Sequence, residues 1–406
     1  MRWIIFILIY LVLDLYAYQA FRTLTRHTWI FWVFFVLSLG VLAFLMYQFN
    51  APESGRLSIN RNYAIGLFLV LFVPKLFLFI LLLGEDVIRV MAGLVHKLQG
   101  PTEPYSLPSR RKFISQIALG VAAIPFTSLL YGMYRGRYDY QVVKHVLHFP
   151  DLPEAFDGYR ITQISDIHSG SFDNEEKIRY GIDLINSQES DVILFTGDLV
   201  NNTADEMKDW KDLFSQLSAR DGVFSILGNH DYGDYASWSS PQAKEANLDS
   251  LKTTHAEMGW RLLLNEHVYL TQQDSNIALV GVENWGRGFK QAGDLEQAAS
   301  GIPSGTFKVL LSHDPSHWEE QVRENARNFQ LTLSGHTHGM QFGIEIPGWF
   351  RWSPAQYRYK HWAGIYSENG RFLNVNRGFG FLAYPGRVGI WPEITVIELR
   401  RGDSPA

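Results

Sequence analysis

The chain has 406 residues, no cysteine and a formal net charge of −5 at pH 7. The lack of cysteine excludes thiolate metal sites and disulfides. The mild negative charge provides no basic face of the kind that nucleic acids require, so no nucleic-acid partner is expected. A domain takes roughly 100–200 residues, so the length allows more than one. Because apolar residues concentrate in the first third, we expect a membrane anchor over residues 1–140 and a soluble domain over residues 141–402.

Long apolar runs occupy residues 3–20, 29–49 and 63–84, and a weaker fourth run follows at 113–132. Each approaches the ~20 residues that cross about 30 Å of hydrocarbon. Several runs in succession, without a small-residue cleavage pattern between them, are not typical of a signal peptide. The pattern predicts an N-terminal bundle of three or four transmembrane helices.

Two charged residues, Asp14 and Lys75, fall near the middle of these runs. A charge at that depth is costly and usually faces a partner, so we hypothesise an interhelical Asp14–Lys75 pair. The alternative is that Asp14 faces a water-accessible groove while the Lys75 side chain extends to the membrane surface.

The orientation of the anchor follows from lysine and arginine in its loops, which favour the cytoplasm. One side carries Arg22, Arg26, Arg89, Lys97, Arg110, Arg111 and Lys112. The other side carries Arg2, Arg56, Arg61, Arg135 and Arg137, so the count is nearly balanced. The stretch "SRRKFI" at residues 109–114 resembles a twin-arginine export signal, or else it is the basic end of a helix. On the first interpretation we expect an extracytoplasmic soluble domain.

Short apolar strands alternate with helical patterns after residues 134–158, which we interpret as a linker. The candidate strands are "YRITQIS", "DVILFTG", "GVFSILG", "NIALVGV", "FKVLLSH", "QLTLSG", "RFLNVNRG" and "ITVIELR". The candidate helices span residues 174–188, 204–217, 242–258, 294–299 and 315–325. This alternation predicts a layered α/β domain with helices packed on sheets.

Polar side chains follow five of these strands at the point where each one ends. They are Asp166, His168, Asp198, Asn229, His230, Asp231, His313, Asp314, His336 and His338. Ligands of α/β sheets gather beyond the carboxyl ends of strands. Within "DIH" and "HTH", residues i and i+2 of an extended segment point to the same side. The set therefore indicates a site built from histidine and carboxylate.

The order of these residues resembles the calcineurin-like metallophosphoesterase superfamily, whose motifs read D-x-H, G-D, G-N-H-[D/E], H and G-H-x-H. The match covers about residues 161–339 and implies a four-layer α/β/β/α sandwich. The stretches "LPEAFDGYRITQISDIH" and "NRGFGFLAYPGRVGIWPEITVIELR" resemble a membrane-associated bacterial branch of that superfamily. Members of that branch are phosphodiesterases or phosphatases, some of them acting on lipid-linked or cell-envelope substrates.

The resemblance implies two metal ions with Asp198 bridging them. Asp166, His168, Asp198 and His338 would hold the first ion, and Asp198, Asn229, His313 and His336 the second. Two divalent ions ~3.5–4 Å apart lower the pKa of a bridging water, so a hydroxide is available for in-line attack. Nitrogen and oxygen ligands without thiolate fit Mn²⁺, Fe²⁺ or Zn²⁺. Gly197, Gly228, Gly335 and Gly339 would allow close approach of the backbone.

The resemblance also assigns His230 to protonation of the leaving oxygen, a task that suits the pKa of histidine. Asp231 is expected to orient the His230 imidazole. The second motif, "GDLVNN", lacks the G-D-x-x-D-R-G form of the Ser/Thr protein phosphatases, which argues against a protein phosphatase.

The expected function is a membrane-anchored, dinuclear phosphoesterase acting on a phosphodiester or phosphomonoester of an envelope or lipid-linked compound. The alternatives are a catalytically idle domain that senses a phosphate ligand for the membrane segment, and a transporter with an enzyme appendage.

Aromatic and basic residues mix in "PGWFRWSPAQYRYKHW", residues 347–362. This segment either packs over the domain or meets the bilayer interface or a lipid phosphate.

Overall fold

A computed structural model describes residues 2–50, 58–98, 108–346 and 348–403. Arg56 of the orientation argument and Pro347 of the aromatic segment lie outside the described residues. The chain divides into two compact units. Residues 1–51 and 63–133 form the first unit, and residues 52–62 and 134–406 form the second.

Four long helices make up the first unit: α1 (Arg2–Leu24), α2 (Thr28–Asn50), α3 (Ile59–Leu98) and α4 (Pro108–Tyr134). All four are long and apolar enough to cross a membrane, so the weaker fourth run is a helix of the same kind. Helix α3 continues to Leu98, beyond the predicted end at residue 84. The prediction followed the apolar run, whereas the residues after it still favour helix without favouring lipid.

Asp14 and Lys75 form the hypothesised ion pair, with Lys75 Nζ 2.5 Å from Asp14 Oδ1. The ammonium group also lies 2.9 Å from Tyr10 Oη and 2.6 Å from Ser38 Oγ. The Ser38 hydroxyl in turn donates to Asp14 Oδ2. All four residues are buried, so the charges satisfy one another inside the helical unit rather than reaching water.

The two arginines of the twin-arginine-like stretch also make ion pairs within the first unit. Arg110 Nε lies 3.6 Å from Glu85 Oε1, and Arg111 Nη1 lies 3.7 Å from Glu85 Oε2 and in contact with Asp86. These contacts tie the start of α4 to α3. They give the adjacent arginines a structural role, whether or not the stretch also serves in export.

We expect Asp14→Asn and Lys75→Met, made singly, to destabilise the chain by about 3–5 kcal/mol, because each leaves an unpaired charge in an apolar interior. The double variant removes both charges and should lie closer to the wild type. Thermal unfolding in detergent measures both effects. Arg179→Met, which breaks an exposed Arg179–Glu175 pair, is the control and should change little. Single variants as stable as the wild type would contradict a structural role for the pair.

The second unit contains fourteen strands and four α-helices among its described residues. The strands are β1 (Gln141–Phe149), β2 (Arg160–Ile164), β3 (Val192–Phe195), β4 (Val223–Ser225), β5 (Trp260–Leu262), β6 (Glu266–Gln272), β7 (Ser275–Gly281), β8 (Lys308–Leu311), β9 (Leu331–Ser334), β10 (Ile344–Ile346), β11 (Phe350–Trp352), β12 (Gly364–Glu368), β13 (Arg371–Val375) and β14 (Glu393–Arg401). The helices are α5 (Glu175–Asn186), α6 (Lys211–Phe214), α7 (Pro241–Glu257) and α8 (Leu295–Ala298).

The strands form two six-stranded sheets and a separate two-stranded hairpin. The first sheet has the order β1-β14-β2-β3-β4-β5, in which β2 to β5 are parallel. The second has the order β12-β13-β9-β8-β7-β6, in which β13, β9, β8 and β7 are parallel. The carboxyl ends of β2, β3 and β4 therefore share one edge of the first sheet, and those of β8 and β9 share one edge of the second.

Alternation along the strands shows that the two sheets face each other. In β3, Val192 and Leu194 join a core that also contains Val309 and Leu311 of β8. The intervening residues point outwards: Ile193 and Phe195 pack with α5 to α7, and Leu310 packs with α8 and the helical turn at 318–322. Successive strand residues point to opposite faces, so each sheet is covered on both sides. This is the α/β/β/α sandwich that the resemblance implied.

Several local predictions differ from the structure. The predicted linker at 134–158 contains β1, which pairs with β14 along nine residues. Lys144 and His145 interrupt its apolar residues in the sequence, but Leu147 and Phe149 are buried in the core between the sheets. The predicted helix at 204–217 is broken into a 3₁₀ turn at Ala204–Met207 and the short α6, and that at 315–325 shortens to a π-helical turn at Trp318–Val322.

Candidate metal centre

The predicted ligands converge where the strand ends of the two sheets meet. Asp166 and His168 follow β2, and Asp198 follows β3 in the first sheet; His313 follows β8, and the two histidines of "HTH" follow β9 in the second. They form two groups, one of Asp166, His168 and His338 and the other of Asp198, His313 and His336. Within each group the donor atoms lie within 4.8 Å of one another.

The Asp198 carboxylate lies between the two groups. Its Oδ2 is 3.1 Å from His313 Nε2 in its own group and 3.6 Å from His168 Nε2 in the other. In the first group, His338 Nε2 is 3.2 Å from Asp166 Oδ1 and 3.1 Å from His168 Nε2. One carboxylate thus contacts histidines of both groups.

Five of the six grouped residues have left-handed backbone conformations. Their φ angles are 52° at Asp166, 50° at His168, 62° at Asp198, 71° at His336 and 49° at His338. Such angles are uncommon outside glycine and cluster at functional sites. The "DIH" and "HTH" segments are therefore not extended. Asp166 and His168 still reach the same group, as expected, but through a turned backbone. His336 and His338 instead reach different groups because the chain turns at each of them.

Glycine at positions 228 and 335 allows these turns to approach one another. A Cβ at Gly228 would lie 2.6 Å from the backbone nitrogen of Asp198 and closer still to its carboxylate. A Cβ at Gly335 would lie 2.8 Å from Ser165 Cβ and would overlap the Asp166 carboxylate. The close approach expected at these two positions is present.

Close contacts between carboxylates and imidazoles shift the pKa values of the groups in the site. Burial alone raises the pKa values of Asp166 and Asp198, but His338 and His313, respectively, outweigh burial and hold both below the usual range. Burial lowers the pKa of His313, but the Asp198 carboxylate raises it to about 10. The carboxylates are thus ionised and attract positive charge, while burial lowers the pKa values of His168 and His336 and keeps these imidazoles neutral.

The donor set fits a metal centre. Asn229 Oδ1 and His336 Nδ1 are buried and have no hydrogen-bond partner among the described residues. A buried polar atom without a partner is costly, and a cation would satisfy both atoms. The Asn229 side chain is oriented for this by its Nδ2, which donates to Tyr235 Oη at 2.9 Å. Neutral imidazole, amide oxygen and carboxylate are suitable ligands for divalent transition metals.

His230 lies beside the first group, with its ring centroid 4.9 Å from that of His168. Its Nδ1 is 2.8 Å from the carbonyl oxygen of Asn201, and its backbone N–H donates to Asp198 Oδ1. The carbonyl of Asn201 therefore orients the imidazole, where Asp231 was expected to do so.

Asp231 has a different role from the one predicted. Its buried carboxylate accepts hydrogen bonds from the backbone N–H groups of Gly228, Asp198, Leu199 and Val200. Burial, with the nearby Asp198, raises its pKa to about 7. Asp231 thus ties the loop after β3 to the loop after β4, which fixes the position of Asp198.

Two further residues that the sequence did not single out individually contact the ligands. Tyr359 Oη is 2.8 Å from His336 Nε2, and Arg387 Nη2 is 3.2 Å from His338 Nδ1. Arg387 is completely buried and also donates to the carbonyl groups of Gly378 and Gly380. Both belong to stretches noted in the sequence, the aromatic segment and the closing "NRGFG" stretch, but nothing in their spacing indicated these contacts.

Comparisons with known proteins agree with this geometry. A family model described as calcineurin-like phosphoesterase matches residues 159–340, and one described as a probable calcineurin-like phosphoesterase transmembrane domain matches residues 1–137. The chain is 30% identical over 298 residues to an uncharacterized metallophosphoesterase of Bacillus subtilis (strain 168), YkuE, covering 72% of this chain and 98% of the relative.

Two other relatives align with different fractions of the chain. An uncharacterized metallophosphoesterase of Helicobacter pylori (strain ATCC 700392 / 26695) is 26% identical over 405 residues, covering 96% of each protein. A Danio rerio protein named transmembrane protein with metallophosphoesterase domain is 27% identical over 294 residues, covering 69% of this chain and 62% of the relative.

The family match and the relatives show that the chain is a metallophosphoesterase, a hydrolase of phosphoric esters. The chain belongs to the calcineurin-like phosphoesterase family, and it is a multi-pass membrane protein whose residues 1–137 match the family model of a four-helix transmembrane domain.

We expect Gly228→Ala to weaken metal binding at least about tenfold, which corresponds to ~1.4 kcal/mol, because the new methyl group displaces the Asp198 carboxylate. Isothermal titration of the purified, metal-stripped chain with Mn²⁺ measures the change. Gly120→Ala is the control, since a Cβ there meets nothing within 4 Å. Unchanged affinity in Gly228→Ala would show that Asp198 does not bind metal in this position.

Proposed function

We propose that this chain is a membrane-anchored phosphoesterase with a dinuclear metal centre, which hydrolyses a phosphodiester or phosphomonoester of an envelope or lipid-linked compound. Asp166, His168, Asp198 and His338 hold one divalent cation, and Asp198, Asn229, His313 and His336 hold the other. When bound, the cations supply Lewis acidity and make a water available as nucleophile near neutral pH.

The position of Asp198 is the observation that carries this proposal. Its Oδ2 faces a histidine of each group at 3.1 and 3.6 Å, as a bridging ligand requires. A shared carboxylate reduces the repulsion between two nearby cations, which neutral imidazole cannot do. A site for one cation would not need two complete sets of donors.

His230 is suited to protonate the leaving oxygen. Its Nδ1–H donates to the Asn201 carbonyl oxygen, so Nε2 is the atom that can deliver a proton. The ring is partly exposed and packs against Tyr235 at a centroid distance of 4.4 Å, which restricts its rotation. A fixed imidazole with one free nitrogen supports this role, since a general acid must present its proton to the leaving oxygen.

An exposed cation near the ligands favours an anionic substrate. Arg358 lies with its Cζ 5.2 Å from the Phe289 ring and 5.5 Å from the Tyr359 ring. Both rings contact His336. The guanidinium is exposed, so it is available to pair with a phosphate oxygen or with a second negative group of the substrate.

Hydrolysis of bis-p-nitrophenyl phosphate by the purified full chain with added Mn²⁺ tests the proposal. We expect Asp198→Asn to abolish both metal binding and turnover. His230→Ala should keep its metal and lose about 10²–10⁴-fold in kcat, because general acid catalysis contributes that much. Tyr269→Ser, which changes an exposed side chain of β6, should behave as the wild type. Equal turnover by Asp198→Asn and the wild type would refute the enzyme function.

We further propose that the phosphoesterase unit is extracytoplasmic. An even number of crossings places the N-terminus and this unit on the same side. The basic residues that flank the α3–α4 connection would then lie in the cytoplasm. The twin-arginine-like stretch among them supports this orientation, although the count of lysine and arginine on the two sides is nearly balanced.

The absence of cysteine makes this orientation testable with single introduced thiols. In spheroplasts, a membrane-impermeant maleimide should label Tyr180→Cys, an exposed position in α5, but not Leu98→Cys, which is 87% exposed at the end of α3. Permeabilisation should make both positions reactive. The reverse pattern of labelling would place the phosphoesterase unit in the cytoplasm.

A further inference from the structure

The hairpin of β10 and β11 has an exposed apolar face and a polar face that contacts the phosphoesterase unit. Ile344 pairs with Trp352, Glu345 with Arg351, and Ile346 with Phe350. Directly opposed residues share a face, and neighbours along a strand alternate. Ile344, Ile346, Phe350 and Trp352 therefore lie on one face, while Glu345 and Arg351 lie on the other.

The polar face connects the hairpin to the phosphoesterase unit. Glu345 Oε1 lies 2.6 Å from Arg377 Nη2, and Arg377 also pairs with the buried Glu393. Arg351 Nη1 donates to the carbonyl oxygen of Ala363 at 2.7 Å, and its guanidinium lies over the Trp362 ring. These contacts fix the hairpin on the unit by its charged side chains.

The apolar face has no covering element among the described residues. Ile344 is 53% exposed, Ile346 42% and Phe350 47%, while Trp349 in the connecting turn is 81% exposed. With Met340 and Tyr357, they are six of the eleven large exposed hydrophobic side chains described from Tyr134 onwards. An exposed apolar patch of this kind marks a binding surface.

We propose that this hairpin is a second contact of the chain with the bilayer, seated in the lipid headgroup region. Four helices of the same chain are long and apolar enough to cross a membrane, and the second unit follows the last of them directly in the chain. Exposed tryptophan and phenylalanine favour the membrane interface. The acidic residue of the hairpin, Glu345, faces inwards, while Arg358 and Lys360 after it are exposed, which suits anionic headgroups.

The hairpin also adjoins the metal centre along the chain. It begins six residues after His338, and Ser353 at its end donates to the carbonyl oxygen of Gly339 at 2.6 Å. Six residues further on, Tyr359 contacts His336. A hairpin seated in headgroups would therefore bring phosphoesters of the lipid surface beside the candidate centre. This last step rests on the proposed function; the bilayer contact does not.

The bilayer contact is tested with the full chain in nanodiscs of phosphatidylethanolamine and phosphatidylglycerol. Because the chain has no cysteine, Trp349→Cys gives one site for a nitroxide label. Tyr180→Cys, on an exposed face of α5, is the matched control. We expect the label at 349 to be relaxed more strongly by oxygen than by a water-soluble nickel chelate, and the label at 180 to show the reverse.

Two outcomes would overturn the bilayer contact. Equal access of the nickel chelate to both labels would show that the hairpin stays in water. Spin–spin broadening at 349 that disappears on dilution with unlabelled chain would show that a second copy of the chain covers the hairpin instead.

The link to substrate is tested with two diesters that share one leaving group: bis-p-nitrophenyl phosphate in solution, and a dioleoylglycerol p-nitrophenyl phosphodiester in nanodiscs. We expect Ile346→Ser combined with Phe350→Ser to lower the rate on the lipid diester about tenfold, because weaker interfacial affinity reduces access to it. The rate on the soluble diester should not change, and Tyr180→Ser should change neither.

Equal losses of rate on both diesters would show that the hairpin stabilises the catalytic site and does not act in access to lipid. Unchanged rates on both diesters would show that the hairpin has no part in substrate selection. If the wild type hydrolyses neither diester, the proposed function fails, while the label accessibilities still decide the bilayer contact.

Discussion

The candidate metal centre depends on one electrostatic constraint: the Asp198 carboxylate must stay ionised and fixed between two groups of histidines. Burial opposes this, because a low-dielectric interior disfavours a charged carboxylate. The His313 imidazole, 3.1 Å from the carboxylate, offsets that cost, and the Asp231 carboxylate accepts a hydrogen bond from the backbone N–H of Asp198. The left-handed conformation at Asp198 and the glycine at 228 are local consequences of this position.

Holding one carboxylate in this way requires residues from nearly the whole second unit. The first sheet supplies Asp198, the second supplies His313 and His336, and the segment before β14 supplies Arg387 against His338. Each group is also contacted by a residue outside it: Arg387 lies against His338 of the first group, and Tyr359 against His336 of the second. The centre therefore depends on the packing of the two sheets against each other, and a change in either sheet will be felt at both groups.

The chain departs twice from the rule that charges face water and apolar groups are buried. Asp14 and Lys75 are buried in the helical unit, where each satisfies the other. In the hairpin, Glu345 pairs with Arg377 and the exposed Arg351 donates to the carbonyl oxygen of Ala363, while the apolar Ile346 and Phe350 are exposed. Both departures make physical sense for a chain whose surroundings include lipid, in which an unpaired charge is costly and an exposed apolar side chain is not.

The sequence by itself determined the features that arise from composition and spacing along the chain. Four apolar lengths predicted the helices, alternating apolar runs predicted eight strands, and polar residues after five of them predicted one site. The resemblance to a known family selected its metal ligands, which are Asp166, His168, Asp198, Asn229, His313, His336 and His338. The tertiary structure decided the rest. Partners distant in sequence decide the strand at Gln141–Phe149, the Asn201 carbonyl on His230, the bond between Asp231 and Asp198, and the contacts of Tyr359 and Arg387. A hydrogen bond to a distant strand or carbonyl produces no periodic pattern in the sequence, so the sequence alone does not predict it. Whether an apolar face is covered likewise depends on which elements pack beside it in the folded chain.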